Sequence, residues 1–190
     1  MAARESRMPA LGTPAPDFCL DDATGKSFAL RDFAGSKGLV VAFICNHCPF
    51  VKHLIDAFVQ FAREYGPKGI AIVAINPNDA ASYPEDRAQN MAHIAAEKGF
   101  TFPYLIDETQ AVAKAYQAIC TPDFFLFDAA RKLVYRGQFD ASRPGNGLPA
   151  TGSDLRAAAD ALLAGQRLGK QIPSIGCGIK WKSGQAPEWA

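Results

Sequence analysis

Leu39-Val-Val-Ala-Phe-Ile-Cys-Asn-His-Cys-Pro-Phe50 is the stretch that decides the fold. Its first six residues are an unbroken apolar run, the pattern of a strand buried on both faces. Downstream, Phe50, Leu54, Phe58, Phe61 and Tyr65 recur at helical spacing. Cys45 and Cys48, separated by two residues, therefore fall where a buried strand turns into a helix. A helix N-terminus carries unpaired N–H groups and the positive end of the backbone dipole, and both favour an anion. A thiolate is an anion and is the reactive form of cysteine. Pro49 suits the first helical position.

Working outward, Gly66-Pro67 stops the helix and Ile70-Ala-Ile-Val-Ala-Ile75 reads as a second buried strand. Upstream, Cys19-Leu20 and Ser27-Phe-Ala-Leu30 flank Asp21–Lys26, which reads as a hairpin turn containing Gly25. Ser82-Tyr-Pro-Glu85 has capping-box spacing and predicts a helix running to Gly99. Tyr104-Leu-Ile106 is a short strand, and Asp107 or Thr109 caps a helix through Val112, Ala113 and Tyr116. Phe124–Phe127 and Lys132–Arg136 read as paired strands, and a last helix starts at Ser153 or Asp154 and ends at Gly165. The order ββ-βαβα-βα-ββα predicts an α/β fold with a mixed central sheet and helices on both faces. Three segments follow: a flexible N-terminus over residues 1–10, a domain over 11–165, and a C-terminal extension over 166–190.

Composition narrows the function classes. With 20 basic and 19 acidic residues the net charge is +1, which predicts no nucleic-acid or anionic-membrane partner. No apolar run is long enough to cross a bilayer, and the start of the chain has no apolar signal core, so a cytoplasmic address is expected. Five cysteines, at 19, 45, 48, 120 and 177, are an odd number in a chain large enough to bury a core at 48% hydrophobic residues. In a reducing compartment their use is catalytic or metal-binding rather than structural.

The element order, the thiol at a strand-to-helix turn and Thr121-Pro122 before a strand together resemble the thioredoxin fold. Thr13-Pro-Ala-Pro-Asp-Phe18, Phe43–Phe50, Cys120-Thr-Pro-Asp123 and Pro173-Ser-Ile-Gly-Cys-Gly-Ile-Lys-Trp181 narrow the resemblance. They are similar to redoxins of the alkyl hydroperoxide reductase / thiol-specific antioxidant family, in its peroxiredoxin-like branch, over roughly residues 10–182. The resemblance implies that Cys48 is the nucleophile, with Cys45 or Cys177 as the thiol that resolves it. It implies a cis peptide at Thr121-Pro122 and a substrate site that includes Thr121, Pro122, His47 and Asn46. It also implies a protein or small-molecule disulfide or peroxide as substrate, a thioredoxin- or glutathione-type thiol as reductant, and no cofactor.

Two departures weigh against peroxide chemistry. Cys45 stands where peroxiredoxins have a Thr or Ser, and Pro122 stands where they have the arginine that steadies the peroxide. Dithiol–disulfide exchange is therefore the first reading, and thiol peroxidase the second. A third belongs to another class, a Cu(I)- or Zn(II)-binding module using Cys45 and Cys48 with His47 and His53. Sco-type copper chaperones do this with a wider cysteine spacing and a membrane anchor. Haem attachment is excluded, because Pro49 and not His follows Cys48. Cys19 and Cys120 read as packing residues. Asn76-Pro-Asn-Asp79, at the C-terminal end of a strand, lies on the edge where α/β sheets place their sites.

Overall fold

The computed structural model describes residues 3–169 and 171–190. In chain order the elements are β1 (Ala3–Glu5), β2 (Cys19–Asp21), β3 (Ser27–Ala29), β4 (Gly38–Phe43), α1 (Pro49–Tyr65), β5 (Ile70–Asn76), α2 (Ala88–Lys98), β6 (Tyr104–Ile106), α3 (Ala111–Ala115), β7 (Cys120–Thr121), β8 (Asp123–Asp128), β9 (Leu133–Gly137), α4 (Ser153–Leu163) and β10 (Ile175–Gly178). Five strands make the central sheet in the order β6-β5-β4-β8-β9. β4, β5 and β6 are parallel, while β8 runs antiparallel to both β4 and β9. The sheet is mixed, as the element order predicts.

β4 shows why the apolar run forms a central strand. Alternate side chains leave a strand on opposite faces. Val40 and Ala42 enter one core, packed by α1, Met91 of α2 and Leu155 of α4. Leu39, Val41 and Phe43 enter the other, packed by Val112, Ala113 and Tyr116 around α3. Every β4 residue is buried. α1 turns Val51, Leu54, Ile55, Phe58, Val59, Phe61, Ala62 and Tyr65 inward. Phe58 lies 5.3 Å from Phe102 and 5.3 Å from Phe124 between ring centroids, so it joins the helix to the sheet and to the chain leading into β6.

A second, three-stranded sheet of order β1-β10-β7 lies at the edge of the site. The N-terminal residues expected to be flexible supply its outer strand. Ala3, Arg4 and Glu5 face Cys177, Gly176 and Ile175, because β10 offers an edge of unpaired main-chain groups. The C-terminal extension is likewise seated. Ser6 and Ser174 exchange hydrogen bonds, Ile179 N–H donates to Ile119 O at 3.0 Å, and Lys180 N–H donates to Asn78 Oδ1 at 2.9 Å. Gln110 clamps the same segment. Its Nε2 donates to Lys180 O at 2.9 Å, and its Oε1 accepts from Lys182 N–H at 2.8 Å. Trp181 packs on the second core under Lys114, with Trp189 edge-on to it at 6.3 Å.

Two further expectations need correction. Cys19 is exposed rather than in the core, because the β2–β3 ribbon is covered on one face only, and that face takes Leu20. The capping-box reading of Ser82–Glu85 fails. A short 3-10 turn, Pro84–Asp86, stands there, and α2 starts at Ala88. The reason is Asp86, whose carboxylate turns inward to bond the cysteine loop and so cannot continue a helix on the surface. Ser82 instead bonds Asp79 Oδ2 at 2.7 Å. Beside these corrections, the sheet also holds a buried ion pair, with Arg136 fully buried and 3.1 Å from Asp123 at the start of β8.

Candidate active site

Cys48 is the N-cap of α1, with extended backbone (φ −66°, ψ 122°) and Pro49 at the first helical position. Lys52 N–H donates to the Cys48 carbonyl at 3.0 Å, which closes the first turn. The Cys48 sulfur is fully buried and lies 3.0 Å from the Thr121 carbonyl oxygen. The Cys45 sulfur lies 3.2 Å from Thr121 Oγ1. The peptide bond Thr121-Pro122 is cis. Across the small sheet, Cys177 stands opposite Thr121. Cys45, Cys48, Cys177, Thr121 and Pro122, singled out by sequence on three separate segments, are therefore brought together.

Electrostatics separate the three thiols. The Cys45 thiol donates a hydrogen bond to Cys48 and is the largest influence lowering the Cys48 pKa. Burial opposes it, and the Cys177 thiol and the Val51 and Cys177 amides add to it. The outcome is a Cys48 thiol lowered to about 5. Only a protonated Cys48 can donate to the Thr121 carbonyl, but one acceptor does not outweigh four donors. Cys45 moves the other way, well above an ordinary thiol. Its bond to the Cys48 sulfur is the main cause, with burial and the Asp86 charge behind it. Cys177 is pushed up to about 12 by burial and then by its bond to Cys48. Cys120, equally buried, is raised well above normal by burial and by the Asp123 charge, and among the described residues its thiol hydrogen-bonds the Pro122 carbonyl alone, at 3.6 Å. It is a packing residue.

His47 and Asn46, between the cysteines, are both bonded to Asp86. His47 Nδ1 lies 2.7 Å from Asp86 Oδ2, and its ring stacks on Tyr83 at 5.1 Å. Asn46 N–H donates to Asp86 Oδ1 at 2.7 Å, its Nδ2 donates to Glu85 O, and its Oδ1 accepts from Tyr104. Asp86 also accepts from Asn76 Nδ2 at 3.2 Å and Asn78 Nδ2 at 2.9 Å. Burial raises its pKa, but the bonds from His47, Asn78 and Asn46 outweigh this and hold it below the usual carboxylate value. Asp86 thus organises the loop between the cysteines, and sequence reasoning missed it. Its sole signal was the polar Asn76–Asp79 turn, which leads into the same cluster. His53 Nε2 is buried with no hydrogen-bond partner, and His53 joins no group of metal-ligating side chains among the described residues.

One group of three metal-ligating types does exist among the described residues. Ligand atoms of Cys45, His47 and Asp86 lie within 4.8 Å of one another. The His47–Asp86 bond already uses one ring nitrogen and one carboxylate oxygen, and Cys48 lies outside the group. This is not the Cys45–Cys48 pair that the metal-binding reading requires. A cavity of about 60 Å³ lies against Cys45, lined by Ile44, Val51, Ile55, Phe100 and Tyr104. On the Pro122 side, between Phe50 and Ile175, the space is only about 10 Å³.

A strand-to-helix cysteine beneath a cis-proline loop on a mixed five-stranded sheet defines a thioredoxin-fold thiol protein. Within that class, residues 11–136 match the AhpC/TSA family, and the chain belongs to it. Among curated proteins it is similar to the thiol-disulfide oxidoreductase ResA of Geobacillus thermodenitrificans (strain NG80-2). The two are 30% identical over 124 residues, covering 65% of this chain and 67% of that protein. A ResA from Geobacillus kaustophilus (strain HTA426) is 30% identical over 119 residues, and the chain covers 64% of its length. Among solved structures, an uncharacterized conserved protein from Geobacillus kaustophilus superposes with a TM-score of 0.94 at 56% identity, covering 96% of this chain and 98% of that one. A hypothetical protein from Sinorhizobium meliloti 1021 gives 0.93 at 53% identity, covering 95% and 99%.

Proposed function

We propose that this chain is a thiol–disulfide oxidoreductase in which Cys48 attacks and Cys45 resolves. The observation that carries the reading is the geometry of the pair: Cys48 caps α1 with its sulfur 3.0 Å from the Thr121 carbonyl of the cis Thr121-Pro122 loop, and the Cys45 sulfur lies 3.2 Å from Thr121 Oγ1; with it goes the asymmetry of a Cys48 thiol lowered to about 5 beside a Cys45 thiol held up. At neutral pH Cys48 is a thiolate. It attacks one sulfur of a substrate disulfide, forms a mixed disulfide and expels the other sulfur as a thiolate. Cys48 then carries no charge and no longer accepts the Cys45 proton. The largest cause of the raised Cys45 pKa is thereby removed, so Cys45 becomes a nucleophile only once there is something to resolve. Its attack on the Cys48 sulfur closes the Cys45–Cys48 disulfide and releases the second substrate thiol. A cellular thiol reductant returns the pair to the dithiol. The names of the ResA relatives support the same chemistry.

The peroxidase reading lacks its usual donors. Arg136 donates to Asp123 and to the Gln117 carbonyl, and Arg143 to Gln138 and the Ser142 and Asp140 carbonyls; the N–H groups they leave unpartnered, Arg136 Nε and Nη1 and Arg143 Nε, are not bonded to Cys48 either. Among the described residues no arginine hydrogen-bonds Cys48. An odd number of cysteines in a chain large enough to bury a core fits thiols kept reduced, and on that ground we place the activity in the cytoplasm. No helix of the described residues is long and apolar enough to cross a membrane.

The test is intact-protein and peptide mass spectrometry after one equivalent of cystine or of hydrogen peroxide, in wild type and Cys48→Ser. The expected result is a Cys45–Cys48 bridge formed readily by cystine and slowly by peroxide, and absent in the variant. Fast sulfenic acid at Cys48 under peroxide would reassign the protein to the peroxidases.

A further inference from the structure

β7 presents one main-chain edge beside Cys48, and the strand on it reveals what that edge accepts. Because Cys48 touches the Thr121 carbonyl, the residue paired with Thr121 is the one delivered to the Cys48 sulfur. In this chain that residue is Cys177, the register partner of Thr121. The position before it is tightly restricted. A Cβ on Gly176 would lie 2.2 Å from Thr121 O, 2.6 Å from its carbonyl carbon and 3.0 Å from Pro122 N. All three are backbone atoms that cannot rotate aside, so the edge admits only an unbranched methylene there. On the far side, a Cβ on Gly178 would meet nothing nearer than the Arg4 side chain at 3.4 Å. The edge therefore reads methylene, carbonyl, amide, cysteine, amide, methylene. γ-Glutamyl-cysteinyl-glycine has that same run of atoms. Its γ-linkage puts an unbranched methylene before the cysteine, and glycine follows.

We propose that the β7 edge is a glutathione slot, that Gly176-Cys177-Gly178 is a tethered copy of the ligand, and that glutathione disulfide is the substrate Cys48 attacks once the tail strand lifts. This deepens the oxidoreductase reading and rests on Cys48 as the attacking thiol. Lifting is required, since Cys48 is fully buried and the space on the Pro122 side is about 10 Å³. The Cys48 thiolate breaks the glutathione S–S bond, keeps one glutathionyl group as a mixed disulfide and releases the other as a thiolate that takes a proton from water. Cys45 gives up its proton, attacks Cys48 and releases the second glutathione. One disulfide is reduced to two thiols, and one protein dithiol is oxidised.

The test uses the full chain with Cys45→Ser to trap the mixed disulfide. Adduct formation at Cys48 is followed by mass with three probes: glutathione disulfide and the disulfides of Gly-Cys-Gly and Ala-Cys-Gly. The first two are expected to react at least about tenfold faster than the third, the penalty of forcing one methyl into a filled site. Gly176→Ala is expected to unseat the tail and raise the glutathione rate. Should that variant fail to fold, Gln110→Ala, which frees Lys180 and Lys182, is expected to do the same. Equal rates for the three probes would overturn the slot while leaving the dithiol chemistry intact. An unchanged glutathione rate in a folded tail variant would overturn the displacement. Failure of Cys48 to react with any probe would sink the oxidoreductase reading itself.

Discussion

The two main sheets of this protein are held by different forces. In the central sheet every β4 side chain is buried and faces one of two aromatic-rich cores. A fully buried Val, Leu, Ile or Phe contributes about 1.5–3 kcal/mol, and such residues act together. In the small sheet, the β1 side chains are exposed and β10 reads Ile-Gly-Cys-Gly, with little apolar area. What holds it is main-chain pairing and a few side-chain bonds from Ser6, Asn78 and Gln110, each worth about 0.5–1.5 kcal/mol net. The difference teaches that stability and access are separable. The central sheet fixes the fold, while the small sheet opens at a lower cost than global unfolding.

Four experiments would break or sharpen that contrast. The largest effect is expected from Cys48→Ser, which should reduce disulfide exchange to the uncatalysed rate and leave the far-UV circular dichroism spectrum unchanged. Phe58→Ala, in the oil of the central sheet, should cost about 3–5 kcal/mol in denaturant unfolding. Below its melting point the variant should still form the Cys45–Cys48 bridge, and a loss of bridging in the folded variant would show that the two regions are not separable. Third, alkylation of Cys48 in the reduced protein should rise with a midpoint near pH 5, while Cys177, pushed up to about 12, stays inert. The Cys48 pKa is lower in the folded than in the unfolded chain. Its stabilising contribution is therefore present above pH 9 and lost as pH falls through 5, so the Tm gap between reduced wild type and Cys48→Ser should widen from pH 5 to pH 9. Smallest, Gln110→Ala removes the acceptor for Lys182 N–H and the donor to Lys180 O and should loosen the tail by about 1–2 kcal/mol. Hydrogen exchange should quicken several-fold at Cys177 and Ile179 and stay constant in β4 and β5.

The same contrast explains what the sequence revealed. β4, α1 and β5 were legible because burial on both faces, helical periodicity and the Gly66-Pro67 stop are local signals. Cys48-Pro49 and Thr121-Pro122 were legible as motifs, and folding brings them into contact. Asp86 was not, because its role depends on packing against a loop 40 residues away in sequence, and the nearby Ser82–Glu85 spacing imitated a helix start. The β1–β10 pairing was equally silent. It joins the two ends of the chain through main-chain groups, and neither Ala-Arg-Glu nor Ile-Gly-Cys-Gly carries an alternating apolar pattern. Cys19 misled because a two-stranded ribbon has the sequence of a half-buried strand on either face.

Both tryptophans of the chain, Trp181 and Trp189, lie beyond β10, edge-on to one another, with Lys114 over the first and Arg7 over the second. The central sheet contains none. The molecule therefore carries its own optical reporter, placed on the tail that we propose lifts. Under excitation selective for indole, emission tracks the seating of the tail and is blind to the core. Stopped-flow fluorescence can time the departure of the tail separately from the sulfur chemistry that follows, with no label attached.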